Sequence, residues 1–142
     1  EYVKNESKIN ESIHFHGFVK EEDLPEIYRD CNILVFPTYG IRHDEYFGLV
    51  VIEALASGEY VILSEEMKGV FDYFKEKNAL EYVKLDPKII SDRMEFAFKN
   101  IENLRNNVLD VRKYIEENYD WRNISLKLSE KIYEIYINYK KD

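Results

Sequence analysis

Two short apolar runs, "NILVFP" and "YVILS", constrain this chain more than any other feature. Each has the length of a strand, and each is continuously apolar rather than alternating. Such runs suit strands of a parallel sheet covered on both faces, and Pro37 stops the first of them. Helical patterns lie around them. "EDLPEIYRDC" spaces Asp23 and Glu26 as a capping box, tolerates Pro25 in its first turn, and puts Leu24, Ile27, Tyr28 and Cys31 on one stripe. "GVFDYFKEKN" reads as a short helix and "LEYVKL" as a third strand. "SIHFHGFV" alternates Ile13 and Phe15 against His14 and His16, the period of a strand with unlike faces, with Gly17 to turn its end. Strand and helix in alternation predict an α/β fold with a parallel sheet of about four strands and flanking helices. From Asp86 onward Ile90, Met94, Ala97, Ile101, Leu104, Val108, Val111 and Ile115 recur at helical spacing, and a last helix carries Ile124, Leu128, Ile132, Ile135, Tyr136 and Tyr139.

At 142 residues the chain suits one domain with one core, residues 1–142. A formal net charge of −8 argues against a nucleic-acid backbone or an anionic membrane as the main partner, since both need a basic face. A small anion remains compatible, because amides at a helix N-terminus hold phosphate without any Lys or Arg. The single Cys31 fits a reducing compartment, and neither a membrane-spanning run nor a signal peptide is evident, so the cytoplasm is the expected location.

In open parallel sheets ligands sit outside the carboxyl ends of the strands, and "PTYGIRHDEYFG" and "SEEMKG" are two such ends. The first leads into a helix of about residues 47–57 that is apolar on nearly every side. Phe47, Val50, Val51, Ala54 and Leu55 form one face, and Leu49, Ile52 and Glu53 the other. Glu53 is therefore either threaded to a surface or given a partner that compensates its desolvation. Its side chain leans toward the helix N-terminus and the loop carrying Glu45, so both carboxylates frame the amides near Gly48, Leu49 and Val50. Amides for phosphates, with carboxylates for hydroxyl groups, suit a nucleotide-diphosphate sugar, and a carboxylate accepts two hydrogen bonds from a vicinal diol such as ribose.

"DEYFGLVVIEALASG", with Glu45 and Glu53 in a Glu-x7-Glu arrangement, resembles the donor-site signature of retaining glycosyltransferases of the large fourth family, which have the two-domain GT-B fold. "IHFHGFVKEEDLPEIYRDCNILVFPT" is similar to the strand, helix and strand that precede that signature, and "YDWRNISLKLSEKIYEIY" to the closing helix. The resemblance implies a Rossmann-like half of the GT-B fold with a C-terminal helical tail. It implies that Glu53 binds the donor ribose, that Glu45 contacts the transferred sugar near the reacting carbon as a positioning group, and that amides of Phe47, Gly48, Leu49 and Val50, with Tyr46 beside them, take the diphosphate. Backbone at Phe18 and Val19 would lie against the nucleobase. No metal and no cofactor beyond the donor substrate is expected, because in such enzymes the helix dipole and basic side chains stabilise the leaving diphosphate.

Departures sharpen these expectations. "SGEYVILSEEMKGV" has Tyr60 and Lys68-Gly69 where family members carry Gly-x-Pro and a Gly-Gly pair, so the donor-side loop is expected to be reshaped. Nothing matches the family's phosphate-binding Arg and Lys, which lie in a first strand and helix. With Glu1 in place of an initiator Met, the expectation is a partial C-terminal domain, inactive alone, whose partners are a nucleotide sugar, a missing N-terminal domain and a glycan or lipid-linked acceptor at the cytoplasmic membrane face. A two-carboxylate glycoside hydrolase fits poorly, because a helix N-terminus favours an ionised carboxylate and a general acid must be protonated. A non-catalytic nucleotide-binding or assembly module is the alternative of a different class. His14 and His16, with His43 and Asp44, are weak metal candidates, since no cluster has zinc spacing. The Tyr133, Tyr136 and Tyr139 series reads as a packing surface, exposed where no partner covers it.

Overall fold

The computed structural model describes residues 12–38 and 48–140. Helix α1 (Leu24–Asp30) leads into β1 (Ile33–Phe36), and α2 (Leu49–Ser57) into β2 (Tyr60–Ser64). A single 3-10 turn (Glu65–Met67) and α3 (Asp72–Glu76) then precede β3 (Leu80–Val83). Three helices close the chain: α4 (Pro87–Lys99), α5 (Ile101–Tyr119) and α6 (Trp121–Tyr139). The sheet is parallel in the order β1-β2-β3, with Ile33 opposite Tyr60 and Val61 opposite Leu80.

Strand β2 is buried along its whole length, as its unbroken apolar run predicts. Val51, Ala54 and Leu55 of α2 join it in one core with Met67, Phe71 and Phe74, and α5 adds Val108, Val111 and Ile115. Helix α4 is tied down by a side-chain cap, in which Asp86 accepts hydrogen bonds from the amides of Lys88 and Ile89 while Pro87 opens the first turn. Arg93 then bonds Glu81 at 2.7 Å, joining α4 to β3.

Four expectations change. Residues 12–19 form no strand, and the described sheet has three strands; a period-two segment needs a neighbour to complete its ladder, and none of the described strands pairs with it. The Asp23 side chain makes no cap hydrogen bond among the described residues, because its backbone is already αR and Glu26 bonds its carbonyl instead. The long C-terminal pattern breaks at Asn100, whose side-chain amide bonds the Phe96 carbonyl at 2.8 Å. Helix α3 starts at Asp72, after a loop closed by Tyr82: its hydroxyl accepts from the Phe71 amide and donates to Asp72, which also accepts from the Gly69 amide. The loop after β2 is thus held by its own bonds.

Helix α6 buries none of its residues, and Tyr133, Tyr136 and Tyr139 are exposed together with Leu128, Ile132 and Ile135. Among the described residues no helix is long and apolar enough to cross a membrane.

One buried charge stands out in this core. Gly58, at φ 93°, ends α2 in the left-handed conformation, and the next amide, Glu59, returns to the Ala54 carbonyl at 3.0 Å. That closure carries the Glu59 side chain inward to 2% exposure, where Oε1 finds no hydrogen-bond partner among the described residues. Burial pushes its carboxyl up to about 7. A carboxyl whose folded pKa exceeds its unfolded one binds more protons in the native state, so stability falls as pH rises from about 4.5 through 7. Glu59→Gln should flatten that dependence and raise stability at pH 8 by up to ~3 kcal/mol, read from urea unfolding midpoints at pH 5 and pH 8. A variant whose pH profile matched the wild type would show that Glu59 titrates normally.

Candidate functional site

The candidate site runs along α2, from the amides at its N-terminus to a groove lined by Glu53, Ala56 and Ser57. The chain enters the helix through Gly48, which is buried and holds φ 64°, ψ 59°. A Cβ there would meet Met67 Cε and Val51 Cγ2 at 3.6 Å and Phe36 Cε1 at 3.7 Å, ordinary contacts, so backbone conformation rather than space selects glycine. Val51 donates to the Gly48 carbonyl at 2.9 Å, and the amides of Leu49 and Val50 occupy the positive end of the helix. Glu53 follows four residues after Leu49, roughly 6 Å further along the axis.

The faces of α2 divide differently from their sequence reading. Val51, Ile52, Ala54 and Leu55 are buried, Val50 is half-buried, and Leu49 and Glu53 face outward. Glu53 is thus not buried, and it also has a partner: the Tyr28 hydroxyl of α1 donates to its Oε2 at 2.8 Å. Of the two proposed ways to keep a carboxylate in this helix, the structure shows the first, access to the surface; the Tyr28 bond is made by an exposed carboxylate and compensates no burial. Burial first, and then the hydrogen bond and charge of Glu53, push the Tyr28 phenol well above its ordinary range.

Tyr28 and Glu53 share a groove of about 370 Å³. The loop before α1 and α1 itself contribute Glu21, Leu24 and Pro25, while Ala56 and Ser57 continue the wall along α2. Its volume lies in the range of small-ligand sites. Phe18 and Val19 precede this groove in the chain and do not line it; Phe18 is 94% exposed and Val19 is half-buried. Glu45, Tyr46 and Phe47 lie outside the described residues, as do His43 and Asp44. His14 and His16 are exposed in the irregular segment before α1.

Sequence reasoning missed Tyr28 as a site residue. It placed the tyrosine on the inner stripe of α1, and the only further signal was its phenol, a polar tip that needs a partner when its ring is packed.

Residues 2–118 match the family model described as Glycosyl transferases group 1. The chain belongs to this family. It is 29% identical over 131 residues to an uncharacterized glycosyltransferase of Methanocaldococcus jannaschii, an alignment that covers 89% of this chain and 31% of that protein. It is 38% identical over 56 residues to a mannosylfructose-phosphate synthase of Agrobacterium fabrum, covering 39% of this chain and 12% of that protein. The chain therefore spans less than a third of the length of either relative. No solved structure matches significantly.

Gly48→Ala should lower stability by roughly 1–2 kcal/mol, the cost of a left-handed backbone for a residue with a Cβ. Denaturant unfolding measures this, and an unchanged midpoint would mean that the entry to α2 can relax to negative φ.

Proposed function

We propose that this chain is the donor-binding domain of a retaining, metal-independent hexosyltransferase of the group 1 family. In this reading it works with a second, N-terminal domain of the GT-B type that receives the glycan or lipid-linked acceptor. One observation carries the reading: the order of features along α2. The amides of Leu49 and Val50 come first, the exposed Glu53 carboxylate lies one turn further on, and the groove beside α1 continues past it to Ala56 and Ser57. A nucleoside diphosphate has the same order, with diphosphate, ribose diol and flat ring in sequence.

The chemistry follows from that order. Glu53 accepts hydrogen bonds from the ribose hydroxyls, and its charge strengthens each of them. The α2 amides hold the diphosphate and favour the negative charge that grows on it as the bond to the sugar breaks, so neither a metal nor a cofactor is required for this step. Glu45, in the loop that enters α2, contacts the sugar near the reacting carbon. Tyr46 and the amides of Phe47 and Gly48 extend the phosphate cradle. The base lies in the groove beyond Glu53, and the contact proposed for it with the backbone at Phe18 and Val19 is made from outside the residues that line that groove.

Calorimetric titration with UDP, GDP and ADP tests the reading. At least one should bind saturably, and Glu53→Ala should weaken it by about tenfold or more, as the loss of charge-assisted hydrogen bonds implies. If no nucleotide bound the wild type, the assembly-module alternative would be preferred; if Glu53→Ala bound as well as the wild type, the ribose role of Glu53 would be overturned.

A further inference from the structure

We propose that Tyr28 is a positioning residue for ribose recognition, fixing the Glu53 carboxylate so that its second oxygen is presented to the sugar diol. This rests on the donor-binding reading above and adds a residue to it. The supporting geometry is direct. Tyr28 donates to Oε2 of Glu53 at 2.8 Å across 25 residues of sequence, and both side chains line the same groove.

A glutamate on an exposed helix face samples several rotamers, and ordering it on ligand binding costs affinity. Tyr28 removes part of that cost in advance. Its ring is half-buried and packs against the core from α1, so its hydroxyl is delivered from a fixed point. A tyrosine reaches that point with only two side-chain torsions. The bond restrains the carboxylate through Oε2 and leaves Oε1 as an acceptor for a ligand in the groove that both residues line.

The direction of the bond is settled as well. The phenol stays protonated because burial, the adjacent Glu53 and the charge of Glu59 all disfavour the phenolate. Tyr28 therefore donates to Glu53. The simpler role, a staple between α1 and α2, predicts a loss of stability with no change in which sugars are preferred.

The two roles separate in a ribose-preference measurement. The nucleoside diphosphate that binds the wild type is compared with its 2′,3′-dideoxy analogue, in the full chain and in Tyr28→Phe, Glu53→Ala and the double variant. Tyr28→Phe keeps the ring and its packing. It should reduce the preference for the ribonucleotide by about five- to tenfold while leaving affinity for the dideoxy analogue unchanged. Added to Glu53→Ala, it should change nothing further, because it acts through that carboxylate. If Glu53→Ala abolished the ribose preference and Tyr28→Phe left it intact, the positioning role would be overturned while the donor reading stood. An equal loss of affinity for both nucleotides in Tyr28→Phe would assign Tyr28 to the staple. Failure of the wild type to bind any of the nucleotides would overturn both.

Discussion

Strand β2 is hydrogen-bonded to a parallel neighbour on each edge and covered by helices, and its five residues are all buried. In that position both edges of the strand are paired, so the segments that cross to and from β2 must pack over the sheet rather than beside it. Helix α2 is the crossover from β1 to β2, and the two glycines at its ends reflect how tightly that path is drawn. Gly48 and Gly58 both hold left-handed conformations, at φ 64° and φ 93°, which turn the chain abruptly at each end of a nine-residue helix. The direction of α2 then sets its amide terminus at the carboxyl end of β1, where open α/β sheets bind ligands.

Given that placement, the carboxylate in an apolar helix loses its strangeness. Helix α2 is covered by the sheet on one side and packs against α1 and α5, and the angular gap left among these neighbours contains Leu49 and Glu53. A helix needs only a narrow exposed strip to carry a charge without a desolvation cost. Beside the strip lies α1, which meets α2 through a tyrosine whose half-buried ring packs against the core and whose hydroxyl reaches Glu53.

The parallel sheet was legible because continuous apolar runs such as "YVILS" have few other ways to be buried. The α2 helix was legible for the same local reason, whereas the left-handed turn at Gly58 was not read. What failed to show was whatever depended on a neighbour distant in sequence. Residues 12–19 have the alternation of a strand but pair with none of the described strands, and alternation alone cannot supply one. Asp23 and Glu26 have the spacing of a capping box, yet the backbone at Asp23 already turns into the helix, so the side chain is not needed there. Tyr28 was assigned to the inside of α1 from its stripe, correctly for its ring; the bond of its hydroxyl spans 25 residues and no local pattern contains it.

Glu53 and Glu59 show why residue type alone could not have located the site. They lie six residues apart on the same helix and its closing turn. Glu53 stays at the surface, bonded to Tyr28, in a groove with room for a ligand. The Schellman-type return of the Glu59 amide to Ala54 instead draws its side chain into the core, where one oxygen has no partner among the described residues. The two carboxylates also converge on Tyr28, since the charge of each disfavours its phenolate, one through a hydrogen bond and the other through space. The burial of its ring and the bond to Glu53 outweigh the through-space charge of Glu59, so α1 and α2 meet through the one carboxylate that the phenol reaches.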